Sequence, residues 1–203
     1  MNKLPERDYE NIWGKYENIL RSFKDENINE FLDEQGQRLL EASYSLKTSE
    51  PFCGPCGVIE SMTEMAINAK KINDALGYCI SNSSILKTCL LSEIGRIGTI
   101  SCDRLEENDS TWHKENLGQF YKWNESCDKY NVYDMSLWFC QKYGIYLTYD
   151  EWQSISLLKD LSKQDMIFYS KDKSRLSVIL CASKEATIKN ELDKLKGLYT
   201  VPF

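Results

Sequence analysis

The run Cys53-Gly54-Pro55-Cys56 puts two thiols in the close spacing at which a dithiol can cycle to a disulfide. Cys56 directly precedes an apolar helical pattern, and a helix N-terminus favours thiolate. Thiol–disulfide exchange by Cys53 and Cys56 is therefore one candidate chemistry. His113, the sole histidine, is a second candidate, as an acid/base group or a phosphate contact. A structural zinc site needs two paired ligand clusters, and only Cys53 and Cys56 form a close pair. The other cysteines, at 79, 89, 102, 127, 140 and 181, are scattered, and several sit inside apolar helical runs. They read as buried, reduced thiols.

CGPC resembles the dithiol loop of thioredoxin-like oxidoreductases. Such a loop follows a β-strand within a βαβ unit. Here the preceding segment is SYSLKTSEPF, which follows a helix and does not read as a strand. The context favours a tight turn that delivers the next helix over a dedicated redox site.

Those residues must be positioned by a chain of 203 amino acids, long enough for one domain with a substantial core. Hydrophobic residues make up 42% and charged residues 28%, the balance of an ordinary globular protein. The net charge of −6 argues against a broad nucleic-acid groove, because an acidic surface repels phosphate backbones. No apolar run approaches the ~20 residues of a membrane span. MNKLPERDYE has no apolar signal core, so a cytoplasmic protein is expected.

Helical periodicity dominates. Ile12, Trp13, Tyr16, Ile19 and Leu20 predict a helix over about 7–22, and Phe31, Leu32, Leu39 and Leu40 one over about 28–44. Val58, Met62, Met65, Ala69, Ile72 and Leu76 alternate steps of four and three, which predicts a helix over about 58–76 closed by Gly77. Further helices are expected over about 83–95, 114–124, 133–143, 149–159 and 174–196, with a hairpin or loop in QDMIFYSKDKSRL. The reading is all-α: an N-terminal helical extension over 1–45, then one helical domain over 46–203.

Phe52 to Trp152 resembles the HD-domain metal-dependent phosphohydrolases, particularly small versions encoded by large tailed bacteriophages. The resemblance rests on GPCGVIESMTEMAINAKKINDAL, CLLSEIGRIG, WHKENLGQFYKWN and SLWFCQKYGIYLTYDEWQSI, with CASKEAT as a weaker match near the C-terminus. It implies a helical bundle whose metal is held by one histidine, an adjacent His-Asp pair and a distant aspartate. The matching positions are Ser61, Ser92-Glu93 and Ser183. A further family histidine or asparagine is matched by Lys159, followed by Asp160.

Serine stays protonated near neutral pH and is a poor metal ligand, while Lys159 would add positive charge. One carboxylate, Glu93, does not hold a cation firmly. The resemblance therefore implies a catalytically inactive relative without a metal or other cofactor. It would act by binding a protein partner, or an anion such as a nucleotide phosphate through donors on Ser61, Ser92, His113 and Lys159, with Asp103 a further candidate ligand contact. The rival is an active phosphohydrolase with rearranged ligands, in which Glu93, Asp103, His113 and Asp160 must converge. Trp112, Trp123, Trp138 and Trp152 read as packing residues rather than as a platform for bases.

Overall fold

In a computed structural model of the chain, residues 3–159 and 172–198 are described. Helix α1 spans Tyr9–Arg21 and α2 spans Glu26–Glu41, each opened by an aspartate, Asp8 or Asp25, whose carboxylate accepts from a first-turn N–H. Helix α3, Gly57–Leu76, packs most extensively against α8, Arg175–Leu195, and next against α4, Asn82–Leu91. A 3₁₀ turn, Ile94–Ile97, follows α4 and sits on α6, Val132–Lys142. Helix α7, Tyr149–Ser156, opens with a reciprocal capping box between Thr148 and Glu151.

The 7–22 and 28–44 helices are not a detached arm. Tyr16, Leu20, Ile28, Phe31, Leu32 and Leu39 belong to the same buried cluster as Met62, Leu90, Phe139 and Ile179. The Tyr16 hydroxyl crosses to α4 and donates to the Leu90 carbonyl at 3.0 Å.

Helices dominate, but a small sheet departs from the all-α expectation. Strands β1, Leu105–Glu107, and β2, Tyr121–Trp123, pair antiparallel, with Leu105 opposite Trp123. The helix expected over 114–124 is α5, Thr111–Leu117. It stops at Gly118, whose N–H bonds back to the His113 carbonyl, and the chain turns into β2.

The helix expected over 83–95 is also shorter. The Ser92 hydroxyl donates to the Cys89 carbonyl at 2.8 Å, and the Gly95 N–H is taken by the Ser136 hydroxyl of α6 at 2.8 Å. Gly95 is required by that close approach: a Cβ there would lie 2.2 Å from the Val132 carbonyl oxygen. On α3 the expected face holds through Ala69, whereas Leu76 is exposed at the helix end. The hairpin or loop expected in QDMIFYSKDKSRL lies outside the described residues up to 171. Among the described residues no helix is long and apolar enough to cross a membrane.

Candidate functional site: a buried carboxylate and its internal cation

Glu93 stands between the end of α4 and the 3₁₀ turn, with 0% of its surface exposed. In a 3₁₀ turn, residues three apart point the same way. Arg96 is therefore carried over Glu93. Its Nη2 and Nε lie 3.1 and 3.3 Å from Glu93 Oε1. Three hydroxyls complete the shell: Tyr44 and Tyr133 donate to Oε1 at 3.2 and 3.3 Å, and Ser61 donates to Oε2 at 3.2 Å. Tyr44 comes from the loop after α2, Ser61 from α3 and Tyr133 from α6.

The electrostatics follow from burial. An unpaired carboxylate in this interior would be driven to take up a proton. Arg96 supplies the compensating charge and stacks 3.5 Å over the Tyr44 ring, while its Nη1 donates to the Tyr44 carbonyl at 3.4 Å. Burial opposes the Arg96 charge, yet Glu93, then Tyr44 and Tyr133, hold the guanidinium above the usual arginine value. Burial and the neighbouring Glu93 push both tyrosine hydroxyls well above their usual value, so they remain donors.

A divalent cation needs lone pairs from several oxygen or nitrogen ligands. Around Glu93 the hydroxyls turn their O–H groups toward the carboxylate, and a guanidinium already neutralises it. The residues present do not fit a metal. Among the described residues, no three His, Cys, Asp or Glu side chains come together as a metal-ligand set.

Of the residues singled out in the sequence, Ser61 and Glu93 meet directly. Ser92 and Ser183 are buried, but each hydroxyl donates to a carbonyl of its own chain segment, Cys89 at 2.8 Å and Leu180 at 2.9 Å. Lys159 pairs with Asp134 at 3.2 Å. The lysine beside the cluster is Lys184, 4.6 Å over the Tyr133 ring. Asp103 pairs with Arg38 at 2.7 Å on the surface. His113 lies on α5, edge-on to Trp112, with a buried Nδ1 that has no hydrogen-bond partner. Asp160 lies outside the described residues.

Sequence reasoning missed Arg96, Tyr44, Tyr133 and Lys184. The available signal was the three-residue spacing of Glu93 and Arg96, in a segment whose glycines already marked a tight turn.

The Cys53 and Cys56 thiols are buried and unpaired. Burial pushes each up to about 11, the reverse of the depression that makes a thiol nucleophilic. The turn itself is structural. Arg7 donates to the Cys53 carbonyl at 2.8 Å and pairs with Glu60 of α3 at 2.7 Å. Gly57 admits the Phe52 carbonyl oxygen within 1.9 Å of where a Cβ would stand. The four expected packing tryptophans, Trp112, Trp123, Trp138 and Trp152, are all at least partly solvent-facing.

No family model matches the chain, and no curated protein or solved structure matches it.

Proposed function

We propose that the chain is a degenerate relative of the HD-domain phosphohydrolases, of the small bacteriophage type, that acts by binding rather than by turnover. The observation that carries this reading is the Glu93–Arg96 pair. The carboxylate in the position matching the family's metal-binding aspartate is compensated by a guanidinium from the same turn, 3.1 Å away. Ser61, Tyr44 and Tyr133 donate to it as well. An ion that would activate water is replaced by a fixed internal cation, which polarises no water and cannot be exchanged.

The test is phosphate release from nucleoside mono- and triphosphates with Mn²⁺, Ni²⁺ or Mg²⁺ supplied. The expected result is a rate equal to that of the buffer alone. Release that disappears in Glu93→Gln would overturn the reading.

A protein partner is the second reading, supported by the surface between α6 and α7. There Trp138, Tyr146, Tyr149 and Trp152 are exposed, and Tyr149 stacks on Trp152 with ring centroids 6.2 Å apart. Aromatic residues with partly open faces are enriched where one protein anchors in another. Alanine in place of Trp138 and Trp152 together should abolish capture of such a partner from native cells, without changing the melting temperature by more than a few degrees.

A further inference from the structure

Arg104 precedes β1, half-buried, between aromatic rings. Its guanidinium carbon lies 4.8 Å from the Trp123 ring centre and 5.9 Å from that of Tyr130. A guanidinium presents five N–H donors, and a partly buried one ordinarily meets a carboxylate. Among the described residues none does: no carboxylate or carbonyl accepts from Arg104. Arg96, which acts on it electrostatically, has the same sign. Burial first, and then Arg96, hold the Arg104 guanidinium below the usual arginine value, against a smaller opposing effect of Tyr130, Cys127 and Tyr133.

The two arginines share a cavity of about 280 Å³ with Tyr44, Ser45, Glu50 and Trp123. Glu50 does not answer Arg104: its Oε2 accepts from the Leu46 and Lys47 N–H groups at 3.0 and 3.1 Å. Arg96 is already matched by Glu93. An unanswered guanidinium therefore lines one small cavity, and its fork of N–H donors suits a tetrahedral oxyanion. More than half of the Trp123 side chain stays in solvent, which leaves a ring surface free for stacking.

We infer that this cavity is a binding site for a phosphate monoester carrying a flat ring, with the phosphoryl group held by Arg104 and the ring laid on Trp123. The inference rests on the reading that the chain binds rather than turns over. Trp123 belongs to the WHKENLGQFYKWN motif and Arg96 to CLLSEIGRIG, but none of the positions matching the family's metal ligands takes part.

Isothermal titration with phenyl phosphate, inorganic phosphate and phenol separates the contributions. Phenyl phosphate should bind more tightly than inorganic phosphate, and phenol should not bind. Arg104→Gln should weaken both phosphates by roughly tenfold or more, the effect of losing hydrogen bonds to a charged group. Trp123→Leu should remove the advantage of phenyl phosphate while leaving inorganic phosphate bound. Arg104→Lys, which keeps the charge and loses the fork, should fall between wild type and Arg104→Gln, and it serves if the glutamine variant does not fold. The site is refuted if wild type binds neither phosphate at about 10 mM, or if Arg104→Gln or Arg104→Lys binds as wild type does. Absence of binding would leave the binding-only reading standing with a protein partner. Hydrolysis of bound phenyl phosphate would sink that reading and leave the site in place.

Discussion

Arg96 holds its guanidinium 3.1 Å from the Glu93 carboxylate, three residues away along the chain and inside the helical core. The Glu93 side chain is 1% exposed and that of Arg96 16%. At that burial the pair cannot rely on water, and removing one partner leaves a charge that the interior does not solvate.

Glu93→Gln and Arg96→Met should each destabilise the fold by about 3–5 kcal/mol, the usual cost of breaking a buried pair from one side. The double variant should lose less than the sum of the two. Denaturant unfolding of all four proteins measures the coupling. Additive losses would mean that the two side chains do not depend on each other.

Restoring the family's ligands alone should not restore the metal. With Ser61→His, Ser92→His, Glu93→Asp and Ser183→Asp, the Arg96 guanidinium still competes for the site. We expect metal uptake only when Arg96→Gln is added. Uptake with Arg96 in place would show that the guanidinium is not the obstacle. A folded five-fold variant that takes up nothing would break the correspondence between Ser61, Ser92, Ser183 and ligand positions.

How much of this was legible in the sequence varies with the length of the pattern. Helix α3 was, because Val58, Met62, Met65 and Ala69 repeat on one face over several turns. Strands β1 and β2 were not: each has three residues, too few for an alternation to show. Ser61 and Glu93 were reached through the resemblance, and the structure joins them at 3.2 Å. Their other partners were hidden by distance along the chain, since Tyr44 lies 49 residues before Glu93 and Tyr133 lies 40 after it. Arg96 was given no role in the sequence, because helical periodicity does not describe the 3₁₀ turn that carries it over Glu93. Lys159 was reached through the motif match, whereas the lysine that meets Tyr133 is Lys184, carried there by helix α8.

The thiols give a pH-dependent prediction. Cys53 and Cys56 have native values near 11, against an ordinary value of 9.0. The native state thus binds more protons than the unfolded one between those limits, so the thiols favour unfolding as pH rises through the window from 9 to 11. Stability should be level in the thiol contribution below pH 9 and fall above it, less steeply when both thiols are replaced by alanine. At neutral pH, iodoacetamide should modify exposed Cys79 well before Cys53 or Cys56. Rapid labelling of Cys53 would favour the redox reading instead.

Residues 1–45 should not be dispensable. Tyr16, Leu20, Ile28, Phe31, Leu32 and Leu39 are each 0–2% exposed in the shared core. At about 1.5–3 kcal/mol per buried side chain, their loss is comparable to the whole net stability of a domain. A fragment of residues 46–203 should show no cooperative thermal transition. A sharp transition would mean that the first two helices are a true appendage.

The most direct measurement is the metal content of the purified wild-type protein after equilibration with Mn²⁺, Ni²⁺ and Mg²⁺ and removal of free ion. With Arg96 supplying the positive charge beside Glu93, we predict far less than one ion per chain. A stoichiometric cation that is lost in Glu93→Gln would contradict the account at its centre.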